Sequence, residues 1–251
     1  MALQEELKRQ GDYLFKFRSY LPIFLLIIGL WVNIYQERYN GFASETLIAE
    51  ILEELGIFIG LIGLIIRIIT VGFTPKNTSG RNTKDGQIAD TLNTTGLYSI
   101  IRNPLYLGNY LMWVAIAMIT GNIWFVALFT LGFWIYYERI IYAEESFLRK
   151  KFGYTYLDWA SKTPAFIPRH LKYVKPEIEF SWKKVAKKEK NGLFALFLLF
   201  CLFGIVGDIA EGEFSLIEER WSIIGVVVTG IVYVILKYLK KHTVFLDEIG
   251  R

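Results

Sequence analysis

Six long apolar stretches constrain this chain more than any other feature of its sequence. A helix that crosses the hydrocarbon core of a bilayer needs about 20 consecutive, mostly apolar residues. Hydrophobic residues make up 53% of the 251-residue chain, which is more than a soluble domain usually carries. The stretches are 20–35, 55–73, 105–120, 123–142, 193–209 and 221–239. The sequence therefore predicts an all-α, polytopic membrane protein with about six transmembrane helices.

Basic residues lie almost entirely on one side of these predicted spans. The segments 1–19, 74–104, 143–192 and 240–251 carry 23 Lys and Arg residues, whereas the loops on the other side carry only Arg38 and Arg220 and are rich in Glu. Cytoplasmic loops of membrane proteins are enriched in Lys and Arg. We therefore expect both termini and the longest polar segment in the cytoplasm. Residues 1–19 lack an apolar core, so we expect no cleavable signal peptide there.

Metal and disulfide chemistry find little support in the composition. Cys201 is the single cysteine, which excludes a disulfide framework within the chain and a Cys-based zinc site. It lies in an apolar run, so we expect it to be buried. The two histidines, His170 and His242, cannot assemble a metal cluster. The net charge of +4 is no argument for nucleic-acid binding, and we expect no such partner.

A first polar stretch, residues 94–108, precedes the third predicted span. Pro104 suits the first turn of a helix, where a missing N–H group costs nothing, and Asn103 suits the N-cap. Arg102, just outside, could hold a lipid headgroup. Taken alone, this stretch favours a helix start with interfacial anchors over a binding site.

A second polar stretch, residues 138–153, follows the fourth predicted span. Charges at the end of a span usually mark the water boundary, but the apolar run continues through residues 140–143 before Glu144 and Glu145. Carboxylates placed there are functional candidates, because anionic lipid disfavours them. Arg139, Tyr142 and Glu145 are spaced by three residues, so we expect one helix face to present all three.

The turn signal at 121–122 predicts that the third and fourth spans form a tight antiparallel hairpin. Such a hairpin returns its two ends to the same place, so the two polar stretches should meet. The sequence therefore predicts a pocket at the cytoplasmic boundary that contains Arg102, Asn103, Tyr106, Glu144 and Glu145. Arg67, near the end of the second predicted span, either extends to the interface or forms a buried ion pair.

Several short motifs follow one another in a recognisable order. They are Gly96-Leu97-Tyr98, Arg102-Asn103-Pro104-Leu105-Tyr106-Leu107-Gly108, Glu144-Glu145, Phe152-Gly153, Tyr156 and Pro164-Ala165-Phe166-Ile167-Pro168. In this order and spacing, residues from about 60 to 170 resemble the integral-membrane S-adenosylmethionine-dependent methyltransferases. That family includes isoprenylcysteine carboxyl methyltransferases and phosphatidylethanolamine N-methyltransferases. Arg67 lies where its members often carry an arginine.

The resemblance implies a cytoplasm-facing pocket for S-adenosylmethionine, with S-adenosylhomocysteine as the product. The matching positions that would contact this cofactor are Tyr98, Arg102, Asn103, Tyr106, Gly108, Glu144 and Glu145. Arg102 suits the cofactor carboxylate, a Glu suits its ribose hydroxyls or ammonium, and tyrosine rings suit its adenine or sulfonium. For the catalytic step we expect Arg139 and Glu145, with Arg139 orienting an acceptor carboxylate. Tyr154, Tyr156 and Trp159 are expected on a short helix that covers the pocket or anchors the chain at the interface.

The acceptor stays open between a prenylcysteine-type carboxylate and a phospholipid amine. Asn103 stands where the prenylcysteine branch typically has His, whereas the phospholipid branch can carry Asn-Pro, which favours an amine. An amine must lose a proton first, and a Glu or Tyr would have to accept it. Membrane lipids and a lipophilic or lipidated substrate are the expected partners, and no metal is expected.

Two other classes of function compete with the methyltransferase. A sterol-reductase-like enzyme using NADPH would share the Arg-x-x-x-Tyr region, but its longer Trp-rich, His-containing motif is missing here. A non-catalytic scaffold or transporter component is the other alternative, and no span interior holds a pair of ionisable groups that would indicate an ion path.

The predicted organisation has four parts. Residues 1–19 form a cytoplasmic segment and residues 20–170 a four-span core with the pocket. Residues 171–192 form a basic cytoplasmic linker whose lysines we expect to be solvated. Residues 193–251 form a two-span hairpin with a tail, for which the family offers no counterpart.

Overall fold

The computed structural model describes residues 2–17, 20–39, 47–78, 81–83, 86–169, 172–212, 214–217 and 219–251. Within these residues the helices are α1 (Leu3–Phe17), α2 (Leu21–Tyr39), α3 (Leu47–Gly72), α4 (Pro104–Ile119), α5 (Ile123–Phe152), α6 (Tyr154–Lys162), α7 (Trp182–Glu211) and α8 (Arg220–His242). An antiparallel hairpin of β1 (Arg81–Thr83) and β2 (Gly86–Ile88) and a 3-10 helix (Leu97–Ser99) lie between α3 and α4. The all-α class is confirmed. His170 and the predicted boundary positions 19, 170 and 171 lie outside the described residues.

Four helices of the described chain, namely α3, α5, α7 and α8, are long and apolar enough to cross a membrane. Helix α4 is apolar but shorter. The first predicted span coincides with α2, whose last turn carries Gln36, Glu37 and Arg38. The chain is thus an integral membrane protein, while the number of six spans and their orientation stay predictions.

The predicted hairpin of the third and fourth spans is present as α4 and α5. Gly121 adopts a φ of +62°, a conformation that favours glycine, and Asn122 caps α5 by accepting a hydrogen bond from the Phe125 N–H at 2.9 Å. Between the two helices lies an aromatic cluster that includes Phe129, Phe133 and Tyr137. This packing therefore fixes the polar residues at one end of the two helices at set distances from one another.

Helix α3 packs along α4 more extensively than any other helix pair in the described chain. Glycines permit this approach: a Cβ placed on Gly63 would lie 2.7 Å from the Gly108 carbonyl oxygen. Small residues at helix contacts are typical of membrane proteins, because they let backbones come close. The contact fixes Arg67 of α3 beside the start of α4.

The position of helix α7 differs from two predictions, a solvated linker at residues 171–192 and a separate two-span hairpin from residue 193 onward. It begins at Trp182, inside the segment predicted as a solvated basic linker, and Lys184, Glu189 and Lys190 are buried. Its apolar part packs against α2 and α3, with Leu196 and Phe203 in a buried cluster. The helix is therefore part of the core, whereas α8 packs mainly on α7. Cys201 is buried on α7, as predicted.

Candidate functional site

A cavity of about 280 Å³ opens at the end of the α4–α5 hairpin that carries both polar stretches. Pockets for small ligands usually start at about 300 Å³, so this cavity is at the small end of that class. Its walls come from α3, the loop before the 3-10 helix, both helices of the hairpin, and α6. The residues used below are Arg67, Asn93, Tyr98, Arg102, Asn103, Tyr106, Asn109, Glu144, Glu145, Tyr156 and Trp159.

Arg102 and Glu145 form an ion pair across the cavity. The Arg102 Nε donates to a Glu145 carboxylate oxygen at 2.8 Å, and its Nη1 donates to the carbonyls of Thr163 at 2.7 Å and Ala160 at 3.1 Å. About a fifth of each charged side chain stays exposed. The Nη2 of Arg102 makes no hydrogen bond within the described chain, so one edge of the Arg102 guanidinium can still bind an anion.

The neighbouring carboxylate, Glu144, is held by a tyrosine. The Tyr106 hydroxyl donates to a Glu144 carboxylate oxygen at 2.8 Å, and the Tyr106 ring lies edge-on to Tyr137 with the ring centres 5.2 Å apart. Two adjacent carboxylates on α5 are thus bound by Arg102, which lies just before α4, and by Tyr106, which lies in its first turn. This is the juxtaposition that the hairpin predicts.

A second ion pair holds Arg67, the residue that α3 contributes to the cavity wall. Arg67 binds Glu189 of α7 in a bidentate manner, with Nε and Nη2 2.7 and 2.8 Å from the two carboxylate oxygens. Its Nη1 donates to the Asn109 side chain. The alternative of an ion pair for Arg67 is therefore confirmed, with its partner Glu189 buried.

Two buried polar atoms of the cavity lining have no hydrogen-bond partner within the described residues. They are the hydroxyl oxygen of Tyr156 and the amide nitrogen of Asn93. Burial, and then the nearby Glu145 carboxylate, raise the pKa of Tyr156 above its ordinary value, so the hydroxyl keeps its proton at neutral pH. Both atoms are almost completely buried, and the Tyr156 hydroxyl interacts with the Glu145 carboxylate.

The structure brings six of the seven predicted cofactor contacts to the cavity. Gly108 is the exception, because it lies against Gly63 and the stem of Arg67 and serves helix packing instead. Asn103 lines the cavity at the N-cap position, but its side chain donates to the Ala165 carbonyl at 3.3 Å and does not cap α4. The short helix α6 supplies Tyr156 and Trp159, whereas Tyr154 is exposed.

Arg139 does not lie in this cavity. It lines a groove between α1 and α5 and binds Gln10 and Glu138, while Glu145 points into the cavity. The expectation of one shared face for Arg139, Tyr142 and Glu145 is wrong for a geometric reason. Each step of three residues turns the helix by about 60° short of a full turn, so two steps put Arg139 and Glu145 about 120° apart.

Two lining residues, Asn93 and Asn109, and the partner of a third, Glu189, escaped sequence reasoning. Asn93 precedes the recognised motif, and nothing in its local sequence marks it. Asn109 follows Gly108 directly and could have been found from its position one turn after Tyr106. Glu189 lies in a run of lysines, which made it look solvated. Within the described part of the chain, no group of three His, Cys, Asp or Glu residues could hold a metal ion.

The segment that forms most of this cavity is similar to known proteins. A family model described as phospholipid methyltransferase matches residues 55–155. The chain is 37% identical over 84 residues to a nickel-cobalt-cadmium resistance protein, NccN, of Alcaligenes xylosoxydans xylosoxydans, which covers 34% of this chain and 39% of that protein. It is 34% identical over 77 residues to the protein-S-isoprenylcysteine O-methyltransferase of Schizosaccharomyces pombe, covering 31% of this chain and 33% of that protein.

A further relative matches a longer stretch of the chain. The protein-S-isoprenylcysteine O-methyltransferase of Tribolium castaneum is 25% identical over 141 residues, which covers 56% of this chain and 50% of that protein. The matches thus span between a third and a half of the length of these relatives. No solved structure matches the chain.

Proposed function

We propose that this protein is a membrane methyltransferase that uses S-adenosylmethionine, because a family model described as phospholipid methyltransferase matches residues 55–155. The methyl acceptor would be a lipophilic molecule, either a prenylcysteine-type carboxylate or a phospholipid amine. The basic segments around the cavity support a cytoplasmic orientation of the site, where S-adenosylmethionine is available. One observation carries the proposal: two adjacent carboxylates and a partly free guanidinium converge in one cavity.

The residues present fit the polar groups of S-adenosylmethionine. The free Nη2 of Arg102 suits the cofactor carboxylate. Glu144 and Glu145 suit the ammonium and the ribose hydroxyls. The rings of Tyr98 and Trp159 provide apolar surface for the adenine.

The protein's share of the reaction is positioning. When bound, S-adenosylmethionine would supply a methyl group attached to a sulfonium. A lone pair of the acceptor would take this methyl group, and the electrons of the broken carbon–sulfur bond would stay on sulfur. The chain's residues orient the cofactor and exclude water, since a desolvated, aligned pair reacts fastest. For an amine acceptor, a carboxylate of the cavity would also hold the proton released, and Glu145 is our candidate.

The proposed acceptor also needs a place beside the cofactor cavity. A second cavity of about 180 Å³ lies between α4 and α7 and shares Arg67 and Asn109 with the first. Its remaining walls include Met112, Trp113 and Leu196, which suit a hydrocarbon chain. We propose that the acceptor's chain lies here while its polar end faces the cofactor.

Binding of S-adenosylhomocysteine tests the proposal directly. In calorimetry, the purified protein should bind this product, and Arg102→Ala and Glu145→Ala should each weaken binding at least about tenfold, or 1.4 kcal/mol. Asp158→Ala is the matched control, because this carboxylate is exposed and pairs only with the exposed Lys162. Absence of binding by the intact protein would contradict the proposal, and binding of NADPH instead would favour a reductase.

Transfer of a labelled methyl group from S-adenosylmethionine into a membrane lipid extract would then identify the acceptor. An alkali-labile methyl ester would indicate a carboxylate. A stable N-methyl headgroup would indicate an amine. No labelled product from an extract of the source membrane would argue against transfer to a lipid.

A further inference from the structure

The groove that contains Arg139 is distinct from the cofactor cavity. It has a volume of about 660 Å³ and lies where α1 meets α5 and the start of α2. Arg139 and Glu144 are five residues apart on α5, which turns their side chains about 140° from each other around the helix. Helix α5 therefore separates the groove from the two carboxylates of the cavity.

The groove is built by close docking of α1 on α5. A Cβ on Gly11 would lie 2.0 Å from the Arg139 carbonyl oxygen, so the two helices touch backbone to backbone. The Tyr136 hydroxyl donates to the Leu14 carbonyl at 3.0 Å, and the Arg139 Nε donates to the Gln10 side chain at 3.2 Å. These contacts fix both walls of the groove.

One end of the groove is cationic. Arg9 and Arg139 both line it, from α1 and α5. Arg9 has no ion-pair partner within the described chain, and Arg139 pairs only with Glu138, which is more than half exposed. The Arg139 Nη2 makes no hydrogen bond within the described residues, so both guanidiniums can still bind an anion.

The other end is apolar and open. Tyr13, Leu25 and Ile135 line it, and an added Cβ on Gly132 would meet no atom within 4 Å. Gly132 and Arg139 are seven residues apart along α5, which is about 10 Å. The groove thus has cationic and apolar ends about two helical turns apart, at the end of an apolar span.

We propose that this groove binds one anionic phospholipid of the surrounding bilayer, with its phosphate at Arg9 and Arg139 and an acyl chain along Gly132. Charge complementarity favours this occupant, because a phosphate can accept charged hydrogen bonds from the free Nη2 of Arg139 and from the Arg9 guanidinium. A second copy of the chain fits poorly, since a two-fold interface would bring the same arginines together. The lipid would stabilise α1 on α5 and anchor the N-terminal segment.

Native mass spectrometry of the full chain in detergent tests this site with phosphatidylglycerol and phosphatidylcholine of identical acyl chains. We expect one phosphatidylglycerol to bind at least tenfold more tightly than phosphatidylcholine. Arg9→Gln with Arg139→Gln should abolish that preference, whereas Arg169→Gln, an exposed arginine outside the groove, should leave it unchanged. Inorganic phosphate at millimolar concentration should not compete, because it lacks the acyl chain.

A steric pair of variants tests the apolar end. Gly132→Phe fills the open space and should weaken phosphatidylglycerol binding at least tenfold. Leu128→Phe places the same ring on an exposed position of α5 and should not. Equal affinities for the two lipids would overturn the proposal, as would a lipid preference that survives the double variant, full competition by phosphate, or formation of a dimer through the groove. Melting temperatures close to that of the unaltered protein would show that the variants are folded.

Discussion

Removal of the Glu189 carboxylate should destabilise the protein more than any change to an exposed ion pair. The Glu189 side chain is only 4% exposed and accepts two charged hydrogen bonds from Arg67. Loss of one member of a buried pair typically costs about 3–5 kcal/mol, because the other charge is left without a partner. The Arg67 side chain keeps 21% exposure towards the cavity, so the expected loss for Glu189→Ala is at the lower end, about 3 kcal/mol.

Two further variants separate the charge from the shape of the side chain. Glu189→Gln keeps an oxygen acceptor of nearly the same size and should lose about half as much. The pair Arg67→Leu with Glu189→Leu removes both charges and should recover much of the stability, since an apolar pair of similar volume is often neutral. Arg67 lines the cofactor cavity, so this double variant should bind S-adenosylhomocysteine more weakly than the unaltered protein even though its stability is restored.

Thermal unfolding in detergent, followed by circular dichroism, measures these differences, and Asp158→Ala is the control. The Asp158–Lys162 pair is exposed and spans one helical turn, so its loss should cost no more than about 0.5 kcal/mol. Three kcal/mol corresponds to a fall in melting temperature of roughly 6–12 °C in a chain of this size. If Glu189→Ala melted at the same temperature as Asp158→Ala, the assignment of a structural ion pair would be refuted.

Two other changes have expected signs that the same assays can check. Tyr156→Phe removes a buried hydroxyl that lacks a hydrogen bond of normal geometry within the described residues, so it should leave the free energy of unfolding unchanged or raise it by up to about 1 kcal/mol. A clear loss of stability would contradict this. Gly11→Ala should lower the free energy of unfolding by about 1–3 kcal/mol, because the new Cβ would meet the Arg139 backbone. Gly132→Ala should raise it slightly, because its Cβ enters open space. Equal shifts for the two glycine variants would count against the tight docking of α1.

The part of the site that sequence reasoning anticipates depends on local signals and on one hairpin. The turn at Gly121 and Asn122 is encoded by residue types that favour it, and an antiparallel pair of helices necessarily brings its two ends together. Arg102 and Glu145 could therefore be paired across 43 positions of the chain before any coordinates were considered. The motif order then indicated which ligand chemistry these groups serve.

Errors arose where helical phase or long-range packing decides the outcome. Arg139 was assigned to the wrong face because two steps of three residues do not return to the same side of a helix. Glu189 was missed because its partner is 122 residues away, and a glutamate within a run of lysines ordinarily faces water. Gly108 was assigned to the cofactor although its position is explained by the close approach of α3, which no local pattern reveals.

The Arg67–Glu189 pair also connects the segment shared with the family to the rest of the chain. The matched segment ends at residue 155, yet the carboxylate that neutralises Arg67 comes from α7, which starts at Trp182. An arginine in an apolar wall without that carboxylate would carry the cost of an unpaired charge, and it would be free to turn away from Asn109. The cavity between α4 and α7 also exists only because α7 packs there. Helix α7 is therefore expected to act on the reaction twice, by holding Arg67 at the cofactor and by forming one wall of the proposed acceptor site.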